Sequence, residues 1–278
     1  MGLIPILILA IVQGAAELLP VSSSAHVIVA GRLLGFDVGS PEFMFVLVML
    51  HTGTMGAVIV YFYSRWKAIL TGAPAERNRF IAFVVLATAV TGVVGLALKH
   101  VIEHDFMGGG EGAAFENLAR DPRLVAGALF AAGLLILFSA RREKKLTAKM
   151  PMSYSGSFIV GFMQGLCVPF RGFSRSGSTI STGLILGYPR RMAEEFSFAL
   201  AVVLTPAAIG LELRRMLKQS GPRGLDYSAF VPGLGGMVLS FVAGWLALKL
   251  LSDWIDKGRW AYFGYYCIAF AALVLVLR

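Results

Sequence analysis

The chain has 278 residues, 57% of them apolar and only 15% charged, and its mean hydropathy is +0.74. Soluble domains run at about 45–50% apolar and about 25% charged, so these values exclude an ordinary soluble domain and indicate one membrane domain over residues 1–278. The net charge of +9 reads as positive loops facing the cytoplasm, not as a nucleic-acid surface.

The opening stretch, "MGLIPILILAIVQGAAELL", has an apolar core but no basic n-region, and it contains an acid. It is expected to be retained, not cleaved as a signal peptide. Residues 2–16 and 22–35 form two short apolar halves around "ELLPV", because Pro20 cannot continue a helix without losing a backbone hydrogen bond. Full spans take about 20 apolar residues and are expected at 41–63, 79–99 and 122–140. Two more short halves, 154–167 and 175–187, flank "VPFRGFS" with Pro169. Further spans are expected at 190–213, 229–251 and, slightly short, 260–277. Cys167 and Cys267 sit in apolar runs and form no disulfide framework.

The order half, half, span, span, span therefore occurs twice. It predicts an all-α polytopic membrane protein with inverted-topology repeats, 1–145 and 150–278. Each repeat holds three of the six transmembrane helices and one of the two re-entrant hairpins. Interruptions at matching positions of inverted repeats point to a site near the bilayer midplane. The basic loops 141–149 and 64–80 fit the cytoplasm, and the acidic loop from Glu103 to Asp121, with Glu111 and Glu116, fits the outside. Arg214, Arg215, Lys218 and Arg223 would then lie outside, against that rule. "GGGEG" at 108–112 lacks the GKS or GKT of a phosphate loop and reads as a connection.

The two interruptions concentrate the polar chemistry. Gln13 and Glu17, four apart, share a helix face. Ser22, Ser23 or Ser24 can cap the next half-helix, with His26 about a turn further on. In the second interruption Gly172 permits a tight turn, Ser174 can cap, and Arg175, Ser176, Ser178 and Thr179 open the helix. Both breaks produce a helix N-terminus at membrane depth, which is an anion site, and Arg175 adds a planar cation suited to phosphate. A charge at the bilayer centre costs about 2.5–3.5 kcal/mol on insertion scales, so such groups line polar cavities. Serines that bond back to the preceding turn, or a buried Glu17–Arg175 pair, are the structural alternatives. His51 reads as a core residue, and His100 and His104 as interfacial. Together, Glu and His for proton transfer, serine as nucleophile and Arg with helix ends for phosphate indicate a phosphate-handling site inside a membrane.

"ELLPVSSSAHVIVAGRLLGF" and "GFSRSGSTIS", with "LHTGT" (50–54) and "EEFSFALAV" (194–202), resemble the undecaprenyl-diphosphate phosphatase family of the bacitracin-resistance type. The resemblance covers essentially the whole chain. It implies ten helices as inverted repeats, and a bacterial inner-membrane enzyme with a site open to the periplasm. The implied substrate is a polyprenyl diphosphate, hydrolysed with a divalent cation, magnesium or calcium. By the same resemblance Glu17 is the base or metal ligand, Ser23 the nucleophile, His26 the group acting on that serine's proton or on the leaving group, and Arg175 the diphosphate clamp. Ser22, Ser24, Ser174, Ser176, Thr179 and Arg171 are the expected phosphate contacts. The partners are the lipid substrate and membrane lipids, and a homodimer is compatible. Three positions depart from the family pattern. Gln13 replaces a glutamate, so it can hydrogen-bond or weakly coordinate a cation but supplies no charge. Arg171 replaces a proline and Ala25 a glycine. A polyprenyl-phosphate transporter, built on the same broken helices, is the alternative.

Overall fold

The computed structural model describes residues 2–38, 40–106, 121–146, 149–220 and 230–277. The 108–112 connection, Glu111, Glu116 and Arg223 lie outside them. Ten α-helices and no strand occur among the described residues.

α1 (Leu3–Leu18) stops at Leu19, which is extended at φ −75° and ψ 151°. The ring of Pro20 crowds a helical conformation at the residue before it. Ser22 then takes φ +66°, the only positive φ among the described non-glycine residues, and α2 (Ser23–Leu33) begins. In the second half, Ser153 Oγ accepts the Gly156 N–H at 3.1 Å and caps α6 (Tyr154–Cys167). The chain turns at Gly172 with φ +109°, where an added Cβ would lie 2.4 Å from the Val125 carbonyl oxygen; only glycine suits that position. Ser174 Oγ accepts the Gly177 N–H at 3.2 Å and caps α7 (Arg175–Ile185).

Among the described residues five helices are long and apolar enough to cross a membrane: α3 (Pro41–Thr71), α4 (Pro74–Val101), α5 (Pro122–Lys145), α8 (Arg190–Ser220) and α9 (Phe230–Asp256). A π turn, Ile102–Phe106, continues α4. α10 (Ala261–Val276) has 16 residues, fewer than the roughly 20 of a straight span. The chain is thus an all-helical, polytopic membrane protein.

The short helices lean on partners from the other half. α1 packs along α9 and α6 along α4, while α3 meets α8 and α5 meets α10. The α1–α9 contact is close enough that a Cβ on Gly14 would stand 2.7 Å from the Ser240 carbonyl oxygen, the small-residue approach that membrane helices use in place of a hydrophobic driving force. Polar clamps close one end of the bundle. Buried Glu143 accepts from Arg190 Nε at 2.9 Å and Nη2 at 3.1 Å, and from Lys149 Nζ at 3.0 Å. At the same end Tyr61 donates to Ser252, which donates to Glu194 of the "EEFSFALAV" segment at 2.5 Å.

Candidate active site

The two breaks meet at Glu17. Its carboxylate, in the last turn of α1, accepts from Ser23 Oγ at 2.5 Å and from Gln13 Nε2 at 3.1 Å on one oxygen. On the other oxygen it accepts from Arg175 Nη2 at 3.3 Å. Arg175 Nη1 is buried and has no hydrogen-bond partner. Ser176 Oγ donates to the Leu19 carbonyl at 3.3 Å, tying the start of α7 to the end of α1. Around these groups lies a cavity of about 330 Å³, at the lower end of the usual range for ligand pockets, about 300–1,000 Å³. Its polar wall includes Ser22, Ser23, Ser24, Arg171, Ser174 and Arg175. Phe43, Met44 and Leu47 of α3 and Phe170 and Phe173 of the second break supply the apolar wall. The N-termini of α2 and α7 both border this space, so two sets of free backbone N–H groups face it.

Some expected residues take other roles. Ser22 occupies the position before α2, but its side chain makes no capping bond. Ser174 spends its oxygen on the α7 cap. Thr179 is buried against α8, bonding the Arg175 carbonyl at 2.9 Å and Ser197 Oγ at 2.6 Å, and does not line the cavity. His26 is also absent from this lining. Its Nδ1 lies 2.8 Å from the Ser22 carbonyl and its Nε2 lies 2.7 Å from the Tyr266 hydroxyl. The ring borders instead an apolar cavity of about 760 Å³ behind α1, between Ile11, Leu19, Leu250 and Trp254.

His51 corrects its reading as a core residue. Held at Nδ1 by the Leu47 carbonyl at 2.8 Å, it turns Nε2 toward Glu17 at 3.6 Å and lines the same cavity. The signal available in the sequence was its place inside "LHTGT". A divalent cation here would find the Glu17 carboxylate and the Gln13 amide oxygen. No three His, Cys, Asp or Glu side chains cluster as a metal site among the described residues. One carboxylate suits a magnesium-type ion carried mainly by substrate phosphates and water, not an all-protein cage.

The comparisons with known proteins agree with one another. The chain is 51% identical to undecaprenyl-diphosphatase 2 of Acinetobacter baylyi, over 100% of this chain and 98% of that protein. It is 34% identical to undecaprenyl-diphosphatase of Rhodopirellula baltica, over 99% of this chain and 98% of that one. With the undecaprenyl-diphosphatase of Methanosphaera stadtmanae it shares 31% identity over 98% of this chain and 96% of that one. The profile of the bacitracin resistance protein BacA matches residues 6–273, and with these full-length relatives it places the chain in the BacA family.

Proposed function

We propose that this chain hydrolyses undecaprenyl diphosphate to undecaprenyl phosphate and inorganic phosphate, returning the lipid carrier to cell-wall synthesis. One observation carries the reading. Arg175 gives one nitrogen to Glu17 and keeps the other buried without an acceptor, beside a serine hydroxyl already resting on the same carboxylate. A buried unpaired donor is costly, and a phosphate oxygen in the cavity relieves it.

In this reading Ser23 Oγ attacks the terminal phosphorus as Glu17 takes its proton. The bridging oxygen leaves with the lipid phosphate. Glu17 passes its proton on to the departing lipid phosphate, then takes one from the water that attacks the phosphoserine and returns it to Ser23 Oγ as inorganic phosphate leaves. Arg175 and the N-termini of α2 and α7 face the charge on the transferring group, the kind of preorganised stabilisation that is usually the largest catalytic contribution. His51 steadies the Glu17 carboxylate. Glu17 and Gln13 would hold a magnesium or calcium ion, which would supply Lewis-acid neutralisation.

The same reading sets the protein in a bacterial inner membrane with its cavity facing the periplasm. It takes α10 as a sixth span and α1–α2 and α6–α7 as re-entrant hairpins of inverted repeats, 1–145 and 150–278. Supporting it, α1 on α9 is matched by α6 on α4, and the basic residues Arg142, Lys144 and Lys145 lie in the last turn of α5, at the end remote from Val125, which adjoins the second break.

The test is phosphate release from undecaprenyl diphosphate by the purified protein in detergent, with magnesium or calcium and then with a chelator. Release that disappears in Ser23→Ala and Arg175→Ala is expected. Failure of folded, lipid-binding wild-type protein to release phosphate would overturn the reading in favour of a carrier.

A further inference from the structure

His26 has no ring nitrogen to spare. A carbonyl can only accept, so Nδ1, at 2.8 Å from the Ser22 oxygen, carries a proton. In the neutral ring Nε2 is then an acceptor, filled by the Tyr266 hydroxyl at 2.7 Å. The ring is also stacked on Phe270, with centroids 3.9 Å apart at an interplanar angle of 5°, and runs nearly parallel to Tyr266, 5.7 Å away at 10°. Meanwhile Ser23, whose proton a base has to accept, already donates to Glu17 at 2.5 Å.

What His26 does hold is the carbonyl of Ser22, the residue at φ +66°. That conformation is sparsely populated for a residue with a Cβ and persists where its surroundings over-determine it. The next residue is Ser23. α10 grips this break twice, because Cys267, adjacent to Tyr266, donates its Sγ hydrogen to the Pro20 carbonyl at 3.3 Å. We infer that Tyr266 and His26 form a positioning relay, Tyr266 Oη–H to His26 Nε2 and His26 Nδ1–H to the Ser22 carbonyl, that fixes the left-handed turn and delivers Ser23 Oγ to Glu17. His26 is a positioning residue, and Tyr266 is a determinant of the same step. The inference rests on Ser23 and Glu17 acting as proposed above.

Asparagine separates this from a proton-accepting role, since its amide N–H can reach the Ser22 carbonyl as Nδ1–H does but cannot accept a proton at neutral pH. With undecaprenyl diphosphate, His26→Asn is expected to keep kcat within about fivefold of wild type, while His26→Ala loses about 100-fold in kcat with KM little changed. Tyr266→Phe is expected to lose about three- to tenfold in kcat. If His26 is a general base, His26→Asn falls with His26→Ala by about 10²–10⁴, and that result overturns the inference. Wild-type kcat in Tyr266→Phe overturns it as well. Amide hydrogen exchange over residues 19–26 gives a readout independent of turnover. It is expected to quicken most in His26→Ala and less in Tyr266→Phe and His26→Asn, which each lose only the Tyr266 link; unchanged exchange in all three would overturn the relay even where the wild type released no phosphate.

Discussion

Glu17 is shared by four side chains, and that sharing determines what substitutions around it do. Arg175→Lys keeps the charge but replaces a planar fork with a point donor. A single ammonium nitrogen cannot span Glu17 and a phosphate oxygen as the two separated nitrogens of the fork do, so kcat/KM is expected to fall on the order of 10²-fold, read in the phosphate-release assay. Gln13→Glu restores a second carboxylate beside Glu17. Calcium affinity, measured by calorimetry on the substrate-free protein, is expected to rise about tenfold, because ligand charge sets affinity at such sites; unchanged affinity would show that position 13 does not face the ion. At this scale the sequence was only partly legible. Ser23 and Arg175 were visible because proline and serine mark where a helix restarts. The meeting of His51 with Glu17 was not, since nothing local in a 31-residue helix says which turn faces a distant carboxylate. Nor does spacing reveal that Thr179 turns toward Ser197, or that His26 lies behind α1.

At the level of elements, the breaks depend on a few backbone positions. Gly172→Ala has to adopt φ +109° and place a Cβ 2.4 Å from the Val125 carbonyl, so the second break shifts or α5 moves. A loss of about 2–4 kcal/mol is expected, seen as a lower Tm in detergent, with lower activity because Arg171 and Arg175 flank the same turn. Proline and glycine made these breaks legible in the chain. Helix ends were less so: α3 runs to Thr71, past the apolar stretch ending near residue 63, because hydropathy registers the oily part of a helix and not its continuation. Arg65 lies in that continuation and pairs with Glu195 at 3.2 Å. Likewise α10 ends at Val276 with only 16 residues, although its apolar run is uninterrupted.

Across the whole molecule, the polar clamps and the cavity occupy different regions, so they can be perturbed separately. Glu143→Ala leaves the part-exposed Arg190 with only the Asp256 carbonyl, a loss below the about 3–5 kcal/mol of breaking a fully buried pair. It is expected to lower Tm while leaving KM for the lipid near wild type. The packing of α1 along α9 also bears on how the protein is made. The hairpin that carries Glu17 and Ser23 leaves the ribosome first, yet the helix it rests on ends at Asp256. At about 5–20 residues per second, the first hairpin waits roughly 10–50 s for its seat. Until Arg175 emerges, the hairpin's acid has no partner from the second half, and the insertion machinery or the lipid headgroups have to shelter it. A chain cut short before residue 230 therefore leaves this hairpin open to protease, whatever the first 229 residues encode, and the catalytic centre is seated only once α9 has emerged.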